Sequence, residues 1–191
     1  MLQAGEGAQH AARANDAGGA QQLGLHFIAA GLQLLGQLFQ PEQLVRSYQR
    51  WVNRADVAIC NAVSNVFGYC LPVADIAALC YRNRVPLIVD ASQAAGCLPV
   101  DMAAWGAAYV AMPGHKSLYG PQGTGGLAVA EGVEIEPLKV GGSGTHSYDR
   151  HHPARMPESL EAGTLNAHGL AGLAAGVAFV QERGAEALGA Q

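Results

Sequence analysis

Between residues 56 and 129 the sequence alternates short apolar runs with stretches of helical spacing, and few folds accommodate that order. Asp56–Asn61 (DVAICN), Leu87-Ile88-Val89, Ala108–Met112 and Gly125–Val129 read as strands, each too short for an ordinary helix. Between the first two lies Pro72–Arg82, where Ile76, Leu79 and Cys80 share one face. Asp75 sits in its first turn, where the helix dipole favours a carboxylate. Glu42–Trp51 reads as a further helix, and Asn166–Leu188 as a long one rich in Ala and Gly. The expected fold class is α/β, a mostly parallel sheet flanked by helices. Ligands of such sheets collect beyond the carboxyl ends of the strands. Asp90 and His115-Lys116 both follow predicted strands directly, so both are expected to point into one crevice.

The first 39 residues have a different character. Residues 1–20 are mostly Ala, Gly, Gln and Asn, with too little large apolar surface to offset the entropy of ordering, and are expected to be disordered. Leu25, Ile28, Leu32, Leu35 and Phe39 then follow helical spacing, which predicts an amphipathic helix ending before Pro41. The expected division is 1–39 as lead-in and helix, and 40–191 as the folded domain. A net charge of -4 without a basic cluster argues against nucleic acid or an anionic membrane as partner. No apolar run is long enough to cross a bilayer and no secretory pattern opens the chain, so a cytoplasmic location is expected. Cys60, Cys70, Cys80 and Cys97 form no C-x-x-C pair and lie in or beside apolar segments. Reduced, buried thiols are expected in preference to disulfides or a metal site.

The chemistry lies in a constellation. Alone, Lys116 is a surface lysine, Asp90 a helix cap and Gln93 a solvated amide. An Asp at a strand end, a Gln three residues later and a Gly-His-Lys after the next strand have little structural reason to coincide. Val89–Gly96, Gly114-His115-Lys116 and Gly120–Gly125 together resemble the class V aminotransferase family of fold-type I enzymes, in its cysteine desulfurase-like branch. Ala62–Gly68 is similar to that branch's H-x-S/N-N-x-x-G segment. Gly141–Ser147 and Glu161–Asn166 resemble its Gly-rich loop and its E-x-G-T-x-N segment. The resemblance runs from about Pro41 to the C-terminus.

It implies pyridoxal 5'-phosphate as cofactor and an amino acid, cysteine foremost, as substrate. Lys116 would carry the cofactor as a Schiff base and afterwards move protons as a free amine. Asp90 would keep the ring nitrogen protonated, Gln93 and Asn65 would bond the phenolic oxygen, and His115 would lie near the phosphate or ring edge. The family builds its site at a homodimer interface, so Gly142, Ser143 and Thr164 would reach the neighbouring subunit's phosphate; an ordinary turn is the alternative for Gly142 and Ser143. Two positions depart from the pattern: Pro113 stands where relatives place Ser or Thr, and Ala62 where they often carry His. The N-terminal cradle and C-terminal small domain of the family find no match here. Residues 40–191 are therefore expected to be part of a large, cofactor-binding domain, with an inactive fragment or docking subunit as the alternative. The apolar surface so left uncovered is expected to drive association. A Rossmann-type nucleotide binder would need a G-x-G-x-x-G after the first strand, which is missing.

Overall fold

The computed structural model describes residues 27–29, 40–142, 144 and 148–191. The chain forms two compact units, one from the chain up to Gln93 with Asp101–Val110, the other from Ala94–Val100 with Ala111–Gln191.

The first unit is built on parallel strands. β1 (Phe27–Ala29) pairs with β2 (Val57–Asn61), Phe27 opposite Val57. β2 pairs with β3 (Leu87–Asp90) in a register that sets Asn61 opposite Asp90. β4 (Tyr109–Pro113) comes next, joined at its start by the Ala108 N–H donating to the Leu87 carbonyl at 2.8 Å. The alternation read from the sequence is thus realised as β2–α2–β3, with α1 (Pro41–Trp51) ahead of it and α2 (Val73–Asn83) as the crossover. Pro41 suits the first turn of α1, where its fixed φ is already helical and its missing N–H is no loss. α2 packs on β2, β3 and α1 and buries Ile76, Ala77, Leu79 and Cys80, the face expected from spacing. Ile76, Leu87, Val89 and Val110 are fully buried, each contributing about 1.5–3 kcal/mol. Tyr48 of α1 is buried too, with its hydroxyl donating to the Ile59 carbonyl, so its polar end is satisfied inside the core.

Phe27–Ala29 corrects the expected amphipathic helix. These residues form a strand because the exposed edge of β2 offers a ladder of backbone partners, and three residues of apolar spacing cannot distinguish the two states. The rest of that helix, and the expected disordered stretch 1–20, fall outside the described residues.

In the second unit the chain reverses after β4 and returns as β5 (Gly125–Val129). The Gly114 N–H donates to the Thr124 carbonyl at 2.7 Å, and Met112 lies against the Gly125 and Gly126 backbone. Residue numbers rise on one strand as they fall on the other, so the pair is antiparallel. α4 (Ala167–Arg183) starts at Asn166, whose Oδ1 accepts the Gly169 N–H at 3.0 Å. The single helix expected to run to Leu188 stops instead at Arg183. Gly184 takes φ 82, which a helix cannot contain, and α5 (Ala185–Gly189) follows. A short α3 (Met102–Trp105) of the first unit is capped by Asp101, which accepts the Ala104 N–H at 2.8 Å.

All four cysteines are free, but they are not alike. Cys60 and Cys80 are buried and Cys97 half-buried, as expected of packed thiols; Cys70 is exposed, because it lies in the loop after β2 and not in the apolar strand beside it. Burial pushes the Cys60 thiol up to about 12, with the Tyr48 hydroxyl opposing and Cys80 adding, and pushes Cys80 up to about 11. Both stay protonated in the fold at a pH where the unfolded thiol, at 9.0, has ionised. Their contribution to stability is therefore whole below pH 9 and is lost as pH rises toward 11 and 12. Urea midpoints measured across that range should fall. A thiol reagent at neutral pH should modify Cys70 first and reach Cys60 and Cys80 only on unfolding.

Candidate functional site

In the first unit the carboxyl ends of β2 and β3 place their side chains together. Asn61 and Asp90 end neighbouring strands in register, and the Asn61 Nδ2 donates to Asp90 Oδ2 at 3.1 Å. Asp90 Oδ1 accepts the Ser92 N–H at 2.8 Å, the short local bond that an Asp makes where the chain leaves a strand. The carboxylate is fixed by one bond on each oxygen, and each oxygen keeps a second lone-pair direction for another donor. Asn65 sits in the turn that follows β2, where the Gly68 N–H donates to the Ser64 carbonyl at 2.9 Å. Its Oδ1 accepts from Gln93 Nε2. Two residues singled out in the sequence, Asn65 and Gln93, are therefore bonded through their amides, and Asp90 stands at the strand end three residues before Gln93.

Lys116 and His115 belong to the second unit, in the reversal between β4 and β5. Lys116 is half-buried and His115 exposed. The loop is knotted by its own backbone: the Tyr119 N–H donates to the Lys116 carbonyl at 2.9 Å and the Gly120 N–H to the Gly114 carbonyl at 2.8 Å. It is then pressed from two sides. A Cβ on Gly96 would lie 2.0 Å from the Ser117 oxygen, and one on Gly176 of α4 would lie 2.3 Å from the Leu118 oxygen. Leu173 of α4 fills the spaces beside Gly114 and Gly120. The lysine backbone is thus set by absent side chains, and Gly120 and Gly125 of the motif are spaces a methyl would fill.

Gly142 and Thr164 also approach each other in this unit, since the Gly163 N–H donates to the Gly142 carbonyl at 2.7 Å. Thr164 and Gly142 are both exposed. Ser143, the remaining sequence candidate, falls outside the described residues. No group of His, Cys, Asp and Glu suited to a metal ion occurs among the described residues, and no described helix is long and apolar enough to cross a membrane.

Residues 35–191 match the aminotransferase class-V family. The chain belongs to that family. It is 37% identical over 126 residues to a probable cysteine desulfurase of Methanothermobacter thermautotrophicus, a span covering 64% of this chain and 32% of that protein. A probable cysteine desulfurase of Xylella fastidiosa is 40% identical over 128 residues, 65% of this chain and 30% of the relative. Among solved structures, the apo cysteine desulfurase of Thermococcus onnurineus NA1 superposes with a TM-score of 0.59 at 28% identity, covering 74% of this chain and 36% of the other. The chain spans about a third of the length of these relatives.

Class V aminotransferases are pyridoxal-phosphate-dependent enzymes with a mostly parallel α/β sheet, as here. Taken separately, the groups of each unit are of kinds that suit that cofactor. In the first unit a carboxylate with spare acceptor capacity suits a protonated ring nitrogen and a bonded amide pair suits a phenolic oxygen. In the second, a lysine in a fixed loop suits an aldehyde. Sequence reading missed the residues that hold these groups. Asn61 could have been found, because it ends a strand as Asp90 does; Gly176 and Leu173 carry no sequence signal of their role, which is a shape match to a distant loop.

Proposed function

We propose that this chain is the large-domain core of a pyridoxal-phosphate-dependent cysteine desulfurase, with residues 40–191 supplying the cofactor-binding domain and cysteine as substrate. The observation that carries the reading is the Lys116 loop, a lysine whose backbone is fixed by its own turn and by the glycines packed around it. The relatives named cysteine desulfurase support the choice of substrate.

When bound, the cofactor supplies an electron sink for bonds at the amino-acid α-carbon. Lys116 would hold it through its Nζ, and the same amine, once freed, would take a proton from the α-carbon and return it. Asp90 would hold the proton on the ring nitrogen; Asn61 and the Ser92 N–H keep its carboxylate aimed without using all its acceptor capacity. Asn65 and Gln93, each oriented by the other, would fix the ring plane through the phenolic oxygen, and His115 would border the phosphate or ring edge. Gly142, Ser143 and Thr164 would meet the phosphate of a second copy, so the working form is a homodimer in the cytoplasm. Exposed Leu138, Val140 and Tyr148 beside the Gly-rich loop are the sort of surface a second copy would cover.

Purified protein given pyridoxal phosphate, cysteine and a dithiol reductant should yield alanine and sulfide in equal amounts, the dithiol supplying the two electrons that take the sulfur cleaved from cysteine to sulfide and ending as its disulfide. Asp90→Asn should lower that rate by about 10²-fold or more, because an amide cannot neutralise a ring cation, while leaving the circular dichroism unchanged because Asn can keep the Ser92 bond. No sulfide from the unaltered chain, with Lys116 still labelled by the cofactor, would replace the enzyme reading with that of a docking subunit.

A further inference from the structure

His152 belongs to none of the segments that suggested a function, yet its ring ties two of them together. Its Nε2 lies 2.8 Å from the Ser159 carbonyl oxygen. Its Nδ1 lies 3.1 Å from the Gly141 carbonyl oxygen and 3.4 Å from the Gly141 nitrogen. Ser159 is buried at 7% exposure in the short 3-10 turn Glu158–Leu160, which leads directly into Glu161–Asn166. Gly141 precedes Gly142, whose carbonyl takes the Gly163 N–H at 2.7 Å. The contacts close a ring: Gly141 and Gly142 are held to Ser159 by the imidazole and to Gly163 by the backbone.

The imidazole suits this place for a chemical reason. With Nε2–H donating to Ser159, a neutral ring presents Nδ1 as acceptor to the Gly141 N–H; a charged ring donates Nδ1–H to the Gly141 carbonyl. The tether persists in either state. The turn it anchors does not hold itself fully, because Glu158 Oε2 is buried there with no hydrogen-bond partner among the described residues, a cost that other contacts must offset.

We infer that His152 is a positioning residue that fixes the Gly142 backbone against the Gly163-Thr164 turn, so that the Gly142 and Thr164 amides and the Thr164 hydroxyl are set for an anionic phosphate. The functional part of the inference rests on the cofactor reading above; the tether itself does not. Exposed Gly-rich backbone must be ordered before it can bind an anion, and a tether made beforehand removes that cost from binding.

Two variants test it. His152→Ala removes both contacts. His152→Gln can donate from Nε2 to Ser159 and accept the Gly141 N–H on Oε1. Hydrogen exchange of the Gly163 amide, measured without added cofactor, should quicken in His152→Ala and return most of the way in His152→Gln. The dissociation constant for pyridoxal phosphate, read from the visible absorbance of the complex, should rise about tenfold in His152→Ala and be largely restored in His152→Gln. Equal Gly163 exchange in the unaltered protein and His152→Ala overturns the tether, whatever the cofactor does. Faster exchange with unchanged cofactor affinity overturns the positioning role. If borohydride fixes no cofactor on Lys116 of the unaltered protein, the cofactor reading fails, and Gly163 exchange still decides the tether.

Discussion

Borohydride reduction of the protein with pyridoxal phosphate should label Lys116 almost alone, and Lys116→Ala should remove that label by about 10²-fold at the same cofactor concentration. The sequence makes the test unusually clean, because the chain has only one other lysine, Lys139, which is exposed. An exposed amine meets the aldehyde only by chance encounter. On the proposed reading Lys116 would meet an aldehyde already bound, and such holding raises the effective concentration of one group near another by orders of magnitude. Lys139→Ala should therefore leave the main product unchanged. Peptide mapping by mass spectrometry distinguishes the two sites, and comparable labelling of Lys116 and Lys139 would sink the assignment of Lys116 as the cofactor lysine.

What the sequence made legible was whatever local periodicity or a compact motif could carry. β2, α2, β3, β4 and β5 appear within a residue or two of their expected bounds, because each has a pattern of burial that its own residues dictate. The places of Asp90 at the end of β3 and of Lys116 just beyond β4 were legible because the strands before them were. The strand at Phe27–Ala29 was not, since its state is decided by Val57–Ile59, some thirty residues away. Nor was the break at Gly184: an Ala- and Gly-rich stretch continues its helical spacing past the point where one φ turns positive. His152 was hidden for a third reason. Its partners are backbone atoms of Gly141 and Ser159, and a backbone carbonyl leaves no trace in residue identity.

Gly96 joins the two kinds of information, because the sequence marks it as the end of a motif while the structure gives the reason no other residue can stand there. Its φ is +95, where an L residue is strained, and a Cβ would lie 2.0 Å from the Ser117 oxygen and 2.5 Å from the Ser117 carbonyl carbon. Both are backbone atoms, so no rotamer change relieves the overlap. Gly96→Ala should cost about 1–2 kcal/mol for the conformation and about 1–3 kcal/mol more for the overlap. The sum is a large share of the about 5–15 kcal/mol that holds a domain together. Gly132→Ala is the control, with φ +77 and nothing within 4 Å of a Cβ, so only the conformational cost of about 1–2 kcal/mol applies. Urea midpoints should fall for both, and by clearly more for Gly96→Ala. The overlap also falls on the residue after Lys116, so relief requires the Lys116 backbone to move. Gly96→Ala protein that remains folded should lose most of its borohydride labelling at Lys116, whereas Gly132→Ala should keep it. Equal stability and equal labelling in the two variants would mean that the lysine loop yields to its neighbours, and that its position is not set by the glycines packed against it.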